Sequence, residues 1–228
     1  MYPRVKRCAD VAVSLVALLL LGPVMLLLAI WVRADSPGGA LYRGERVGRG
    51  GRRFGMLKFR SMVADADRQG PSSTADDDPR ITRSGAFLRR YKLDELPQLF
   101  NVLRGDMSFI GPRPQVPWVV DLYTEDERAL LDVRPGITDY ASIRYRNEGE
   151  ILRGSTDPDG TYFEKIAPGK MRLGLHYVRT MSARTDIAIF VATAMAVLGA
   201  DPNWCLPPES RDEAPAPAAL GAQDEQAI

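Results

Sequence analysis

Two adjacent carboxylates, Asp94 and Glu95, stand among three cations, Arg89, Arg90 and Lys92. On a helix such neighbours point about 100° apart, so both can touch one metal-bound phosphate while doing different work there. The cations should keep an aspartate ionised and reactive. Read without its context, the pair is better taken as a solvated helix face. A second feature is Gly111-Pro112-Arg113-Pro114. Prolines on both sides fix the backbone around one arginine and aim its guanidinium at a planar or anionic group, unless the segment is a plain turn. A third is Lys58-Phe59-Arg60, which puts two cations on one side of a short strand. They grip a pyrophosphate or snorkel over a core edge. The loop Gly44–Arg53 is rich in glycine and arginine but has neither a Gly-Lys-Ser/Thr ending nor the dinucleotide spacing, so a basic membrane-surface loop is its better reading.

Composition narrows the chemistry. The only histidine is His176, and the two cysteines, Cys8 and Cys205, lie at opposite ends of the 228 residues. Disulfide frameworks, CxxC zinc sites and His-clustered metals are therefore not on offer, which leaves carboxylates and a hard ion such as Mg²⁺. The net charge of +1 hides an asymmetry. Residues 1–60 carry eleven basic side chains against three acidic ones, whereas 201–228 carry six acids against Arg211. A basic N-terminal part predicts an anionic partner such as lipid headgroups or phosphates.

The elements that must position these groups follow from the patterning. Residues 11–32 are uncharged and long enough to cross a bilayer. A cleaved signal peptide, a spanning helix and a re-entrant hairpin compete for this segment. Pro23 lacks an N–H and clashes with the carbonyl of Leu19, which predicts a break at Gly22-Pro23 into two half-helices. Cations lie on both sides of the run (Arg4, Lys6 and Arg7, then Arg33 and Arg43), and the positive-inside tendency puts both ends on one face. Strands are predicted at 41–47 and 54–59. A helix is predicted over 86–104, with Leu96, Leu99, Phe100 and Leu103 as its apolar face and Arg90, Asp94, Gln98 and Asn101 opposite. Further helices are predicted at 124–132, 162–166 and 171–182. Residues 187–199 are apolar but too short to span, so they should pack or lie at an interface. The Pro/Ala-rich acidic stretch 201–228 predicts disorder.

Taken in order, these pieces resemble the bacterial sugar transferase family, the small monotopic phosphoglycosyl transferases. The matching stretches are Lys6–Asp10, Arg46–Gly48, Lys58–Met62, Asp78–Thr82, Leu93–Gln98, Met107–Pro114, Arg134–Thr138 and Tyr177 to Asp186, covering roughly residues 4–200. The resemblance implies a membrane-associated α/β, mainly helical catalytic domain over 34–200. A re-entrant membrane helix over 1–33 and interfacial amphipathic helices would accompany it. The implied activity is transfer of a sugar-1-phosphate from a UDP-sugar to undecaprenyl phosphate, releasing UMP, with Asp94 as covalent nucleophile and Glu95 holding Mg²⁺. Arg113, framed by Pro112 and Pro114, would contact the uridine diphosphate. Lys58 and Arg60 are second phosphate candidates, and Gln98 and Asp186 complete the substrate-binding set. The implied setting is the cytoplasmic face of the bacterial inner membrane. Inner-membrane lipids would be partners and nucleic acid would not, with a homodimer left open.

Two departures stand out. Gly22-Pro23 replaces the Ser-Pro common in relatives, and Thr138-Asp139 stands where the family often has Thr-Gly, which leaves the sugar open. Two other classes compete: a membrane-tethered basic module for anionic lipid or nucleic acid, and a polytopic-type transferase without a covalent intermediate. The first leaves Asp94-Glu95 and the framed arginine unexplained, and the second needs several spanning helices.

Overall fold

The computed structural model describes residues 2–66 and 69–211. A 34-residue helix, α1 (Tyr2–Asp35), leads into an antiparallel hairpin of β1 (Leu41–Val47) and β2 (Arg53–Phe59). Then come α2 (Arg83–Arg90), α3 (Gln98–Arg104), β3 (Ser108–Ile110), α4 (Pro117–Asp121) and β4 (Gly136–Thr138). The C-terminal part is helical: α5 (Tyr140–Arg144), α6 (Glu148–Ile151), α7 (Pro158–Lys165), α8 (Ala167–Thr180), α9 (Ala183–Val197) and α10 (Pro208–Arg211). Segment 124–132 forms a 3-10 turn over Glu127–Asp132 rather than an α-helix. Two small sheets sit among the helices, so the mainly helical expectation holds.

α1 differs from the predicted pair of half-helices. It runs through Gly22-Pro23 as one helix to Asp35, two residues past the expected boundary. Proline removes one backbone bond, but the inward side chains stay in phase across it. Asp10, Ser14, Leu18, Leu21, Met25, Leu28 and Val32 recur at three- and four-residue steps and are buried or half-buried. The last five of these pack with Phe59 and Leu88 in one apolar cluster, and burial along such a stripe outweighs one lost hydrogen bond. The opposite face exposes Leu15, Leu19, Leu20, Val24, Leu26 and Leu27.

Both ends of α1 are fastened to the same domain. Near its start, Arg7 donates to Val102 O at 2.5 Å and Leu103 O at 2.9 Å, satisfying carbonyls at the C-terminus of α3. Asp10 accepts from the Phe109 amide at 3.2 Å, and so is not paired with the basic loop around Arg46. Tyr2 and Lys6 donate to Asp186 on α9. At the other end Asp35 accepts from Ser84 N at 2.8 Å, in the first turn of α2.

Arg60 closes this end, and here the sequence expectation is corrected. It is buried and donates to Val32 O (3.2 Å), Ser36 O (2.8 Å), Pro37 O (2.6 Å) and Gly39 O (2.7 Å). All three of its nitrogens cap the end of α1 and the turn beyond it, and four of its five N–H donors are spent there, which makes its role structural. Arg60→Ala would orphan those carbonyls and is expected to lower stability by about 2–4 kcal/mol, as for a lost charged hydrogen-bond cluster. A urea titration beside donor KM measurements checks this. Lower KM-based affinity at unchanged stability would restore the phosphate-binding role.

The helix expected over 86–104 is split. α2 ends at Arg90, Lys92 takes a left-handed conformation (φ 56°, ψ 22°), Leu93–Glu95 make a 3-10 turn, and α3 starts after Pro97. The break falls at Lys92, whose left-handed backbone turns the chain, while Leu96 before Pro97 stays right-handed helical (φ −53°, ψ −37°), so the continuous apolar face does not form. Phe100 is exposed and Leu103 half-buried, while Gln98, Leu99, Asn101 and Val102 are buried. Asn101 bonds β2, accepting from Leu57 N and donating to Gly55 O, both at 2.9 Å.

β3 and β4 are parallel, with Ser108 opposite Gly136 and Ile110 opposite Thr138. They approach so closely that a Cβ on Gly136 would stand 2.2 Å from Gly111 N, which explains glycine at both positions. The stretch predicted disordered from 201 is ordered as far as 211. Asn203–Cys205 form a 3-10 turn, and Leu206 (1% exposed) joins Ile110, Tyr177 and Ile189 in the core. An apolar side chain among polar ones suffices to dock the segment; 212–228 lie outside the described residues.

Candidate active site

The left-handed residue Lys92 reverses the chain after α2 and presents Asp94 and Glu95 from a 3-10 turn rather than a helix face. A non-glycine residue held at positive φ next to two acids is the kind of backbone strain that collects at working sites. β2 brings Lys58 alongside: its Nζ lies 3.0 Å from Glu95 Oε1 and 3.7 Å from Asp94 Oδ2. The rigid segment after β3 brings Arg113, which donates through both terminal nitrogens to Glu95, Nη1 at 3.2 Å to Oε2 and Nη2 to Oε1. Lys58, Arg113 and both acids thus converge from three parts of the chain.

The two carboxylates occupy different electrostatic states. Burial raises the Asp94 carboxyl above its usual range, with Lys58 opposing and Glu95 adding to the rise; Arg89 and Lys92 also oppose it. Burial pulls Glu95 upward too, but Arg113 and Lys58 outweigh it and hold this carboxyl well below the ordinary range. Arg113 is raised by Glu95 against its own desolvation. Lys92 is lowered by burial. Among the described residues Asp94 has no side-chain hydrogen bond and one cation at 3.7 Å, whereas Glu95 is locked between two cations. Neighbouring acids pushed apart in this way take different roles.

A metal is tested by the donor set. Among the described residues there is no group of three or more His, Cys, Asp or Glu that would cage an ion. Three donors occupy the Glu95 oxygens, and a carboxylate has about four lone-pair sites. Room remains for one more partner. That fits Mg²⁺ brought in with substrate phosphates, which uses one or two carboxylates and keeps its waters, and does not fit a preformed metal cage.

The remaining predicted residues separate. Pro112 and Pro114 do flank Arg113, and together the three line a shallow hollow with Val47, Gly48 and Tyr123. Gln98 is fully buried, and neither amide atom has a hydrogen-bond partner. It lies four residues beyond Asp94 with its side chain closed off from solvent. Asp186 is not at the acidic pair: it accepts from Tyr2, from Lys6 and from the Tyr177 hydroxyl at 2.8 Å, tying α1, α8 and α9 together. His176 sits 3.3 Å from Glu209 and edge-on to Tyr140.

Three charged residues near Arg113 had no motif to single them out. Asp139 and Glu148 both act on Arg113 electrostatically, and Lys170 pairs with Glu148. The replacement of glycine by Asp139 was the one signal in the sequence.

The model of the family described as bacterial sugar transferase matches residues 1–200. The chain is 34% identical over 201 residues to a UDP-N-acetylgalactosamine-undecaprenyl-phosphate N-acetylgalactosaminephosphotransferase of Aeromonas hydrophila, covering 86% of this chain and 44% of that one. It is 48% identical over 154 residues to a putative undecaprenyl-phosphate N-acetylgalactosaminyl 1-phosphate transferase of Bacillus subtilis, covering 65% and 82%. A UDP-glucose:undecaprenyl-phosphate glucose-1-phosphate transferase of Xanthomonas campestris is 40% identical over 198 residues, covering 85% and 39%. The chain thus spans less than half the length of two of these relatives.

Proposed function

The chain belongs to the bacterial sugar transferase family, and we propose that it moves a sugar-1-phosphate from a UDP-sugar to undecaprenyl phosphate in two displacements. The observation that carries this reading is the buried Asp94, held only by a 3.7 Å approach of Lys58 among the described residues, beside a Glu95 locked by Lys58 and Arg113. An Asp94 oxygen attacks the phosphorus that bears the sugar. The bond from that phosphorus to the UMP oxygen breaks, and UMP leaves with the electron pair. An oxygen of the polyprenyl phosphate then attacks the same phosphorus and displaces the Asp94 carboxylate, leaving a polyprenyl diphospho-sugar. Lys58 and Arg113 offset the charge that would otherwise repel a carboxylate from a diphosphate. Glu95 would hold Mg²⁺, which when bound neutralises phosphate charge. Assaying UMP release against a panel of UDP-sugars, with undecaprenyl phosphate and Mg²⁺, tests the reading. No release from any donor overturns it.

The membrane part of the proposal rests on α1. Both of its ends are fastened to one domain, while its outer face is a continuous apolar surface. α1 is one helix about 50 Å long, and contacts at both of its ends hold it along the domain. It therefore lies in the plane of the cytoplasmic leaflet with its apolar face in lipid, rather than as the expected re-entrant pair of half-helices. Exposed Ile187, Phe190, Val197 and Leu198 of the α9 region extend the lipid-facing surface. Cys8 is exposed and reports the topology. With Cys205→Ser, a membrane-impermeant thiol reagent should leave Cys8 unlabelled until cells are permeabilised. Labelling of intact cells would establish a span.

A further inference from the structure

We propose that Lys92 receives the phosphate of the polyprenyl acceptor, with the Trp31, Phe87 and Tyr91 rings carrying the isoprenoid chain behind it; the inference rests on the transferase reading above. Two displacements at one phosphorus bring in two charged substrates, a donor diphosphate and an acceptor phosphate. Lys58 and Arg113 are both paired with Glu95. The Lys92 ammonium makes no hydrogen bond or ion pair with any described residue. It is a cation beside the acids that is still open to a second anion.

The backbone at Lys92 points the same way. Lys92 follows the C-cap of α2 in the left-handed conformation that glycine adopts at least cost after a helix. A cation there gains from the helix dipole, but Arg89 and Arg90 already supply basic charge in the last turn of α2. A lysine held at positive φ next to two acids therefore has a use for its side chain beyond making the turn. Burial lowers its ammonium, Glu95 and Asp94 oppose this, and Arg113 and Lys58 add to it.

The rings give the direction of approach. Trp31 of α1 meets Phe87 of α2 edge-on at 5.2 Å, Phe87 meets Tyr91 at 4.8 Å, and the Arg90 guanidinium lies over the Tyr91 ring at 5.8 Å. Phe87 and Tyr91 are exposed, as are Leu27, one turn before Trp31, and Ile30 beside it. The ridge thus continues the apolar outer face of α1. Rings edged by cations suit an apolar chain that ends in a charged group. Three chain links hold the Cα atoms of Tyr91 and Asp94 within about 11 Å of each other, with Lys92 between them. A lipid whose chain lies on the rings has its phosphate within a lysine's reach of the nucleophile.

The two displacements can be read separately on the full-length chain, with UDP-glucose and UDP-N-acetylgalactosamine as donors. Exchange of labelled UMP into the donor, without acceptor, reads the first; UMP release with undecaprenyl phosphate reads both. Lys92→Gly suits the left-handed turn and removes the cation. It should raise the KM for undecaprenyl phosphate about 10- to 100-fold, as for one lost hydrogen bond to a charged group, and leave exchange within about threefold. Lys92→Met keeps the stem and should give the same split, which decides the matter where the glycine variant folds poorly. Phe87→Ser should also raise the acceptor KM and spare exchange. An unchanged acceptor KM in the Lys92 variants overturns the proposal, as does an equal loss in exchange and turnover, which would put Lys92 on the donor. Either result, with an active wild type, leaves the transferase reading standing. A wild type that shows neither exchange nor release removes that reading, and this inference falls with it.

Discussion

Asp94→Asn is expected to eliminate turnover, by about 10⁴-fold or more, without loss of fold. The amide has the shape of the carboxylate but cannot form the acyl phosphate on which the second displacement depends. Stability should hold because the carboxylate has few ties: among the described residues its one ion pair is the 3.7 Å approach of Lys58, and it is buried. Replacing a buried charge by a neutral group removes a desolvation cost, so the melting temperature should stay level or rise. UMP release and a thermal melt on the same preparation check both parts; near-normal release would remove Asp94 as nucleophile. The pH profile carries the same logic. The nucleophile must be deprotonated, and burial raises its carboxyl. The acid limb of kcat/KM should therefore lie at higher pH than for an ordinary aspartate, with activity lost as pH falls through it. Lys58 is the leading influence favouring the charged form, so Lys58→Met should move that limb to still higher pH. An unmoved limb would show that the titration belongs to another group.

Glu95→Gln should slow turnover by about 10²–10⁴-fold and weaken its dependence on Mg²⁺. The loss has two sources. The substituted amide would offer one acceptor oxygen where the carboxylate now receives Lys58 and both terminal nitrogens of Arg113, so the two cations lose their common anchor. It would also hold a divalent ion poorly. The pH profile separates this variant from the Lys58 one. Glu95 raises the Asp94 carboxyl, so its neutralisation should shift the acid limb to lower pH, the opposite direction. Unchanged Mg²⁺ dependence would reduce Glu95 to a positioning residue for the two cations.

Local sequence determined the features that depend on neighbours along the chain. Alternating residues at 41–47 and 53–59 give the hairpin, prolines at 112 and 114 hold Arg113 in an extended segment, and the uncharged run gives α1. The acidic pair with its flanking cations was visible for the same reason. What the tertiary structure alone decided is the partner of each long side chain. Lys58 and Arg60 are two residues apart on one strand end, yet one reaches Glu95 and the other caps α1. Sequence spacing puts them on the same side, but their targets come from α1 and from the turn before α3, brought there by packing. The split between α2 and α3 is similar: no glycine or proline marks the left-handed turn at Lys92, and the buried face containing Asn101 is chosen by contact with β2. Pro112 and Gly136 are 24 residues apart, and their hydrogen bond exists only because two three-residue strands pair in parallel. Backbone propensity is local and is written along the chain; charge partnership is made by contacts that close only when the chain has folded.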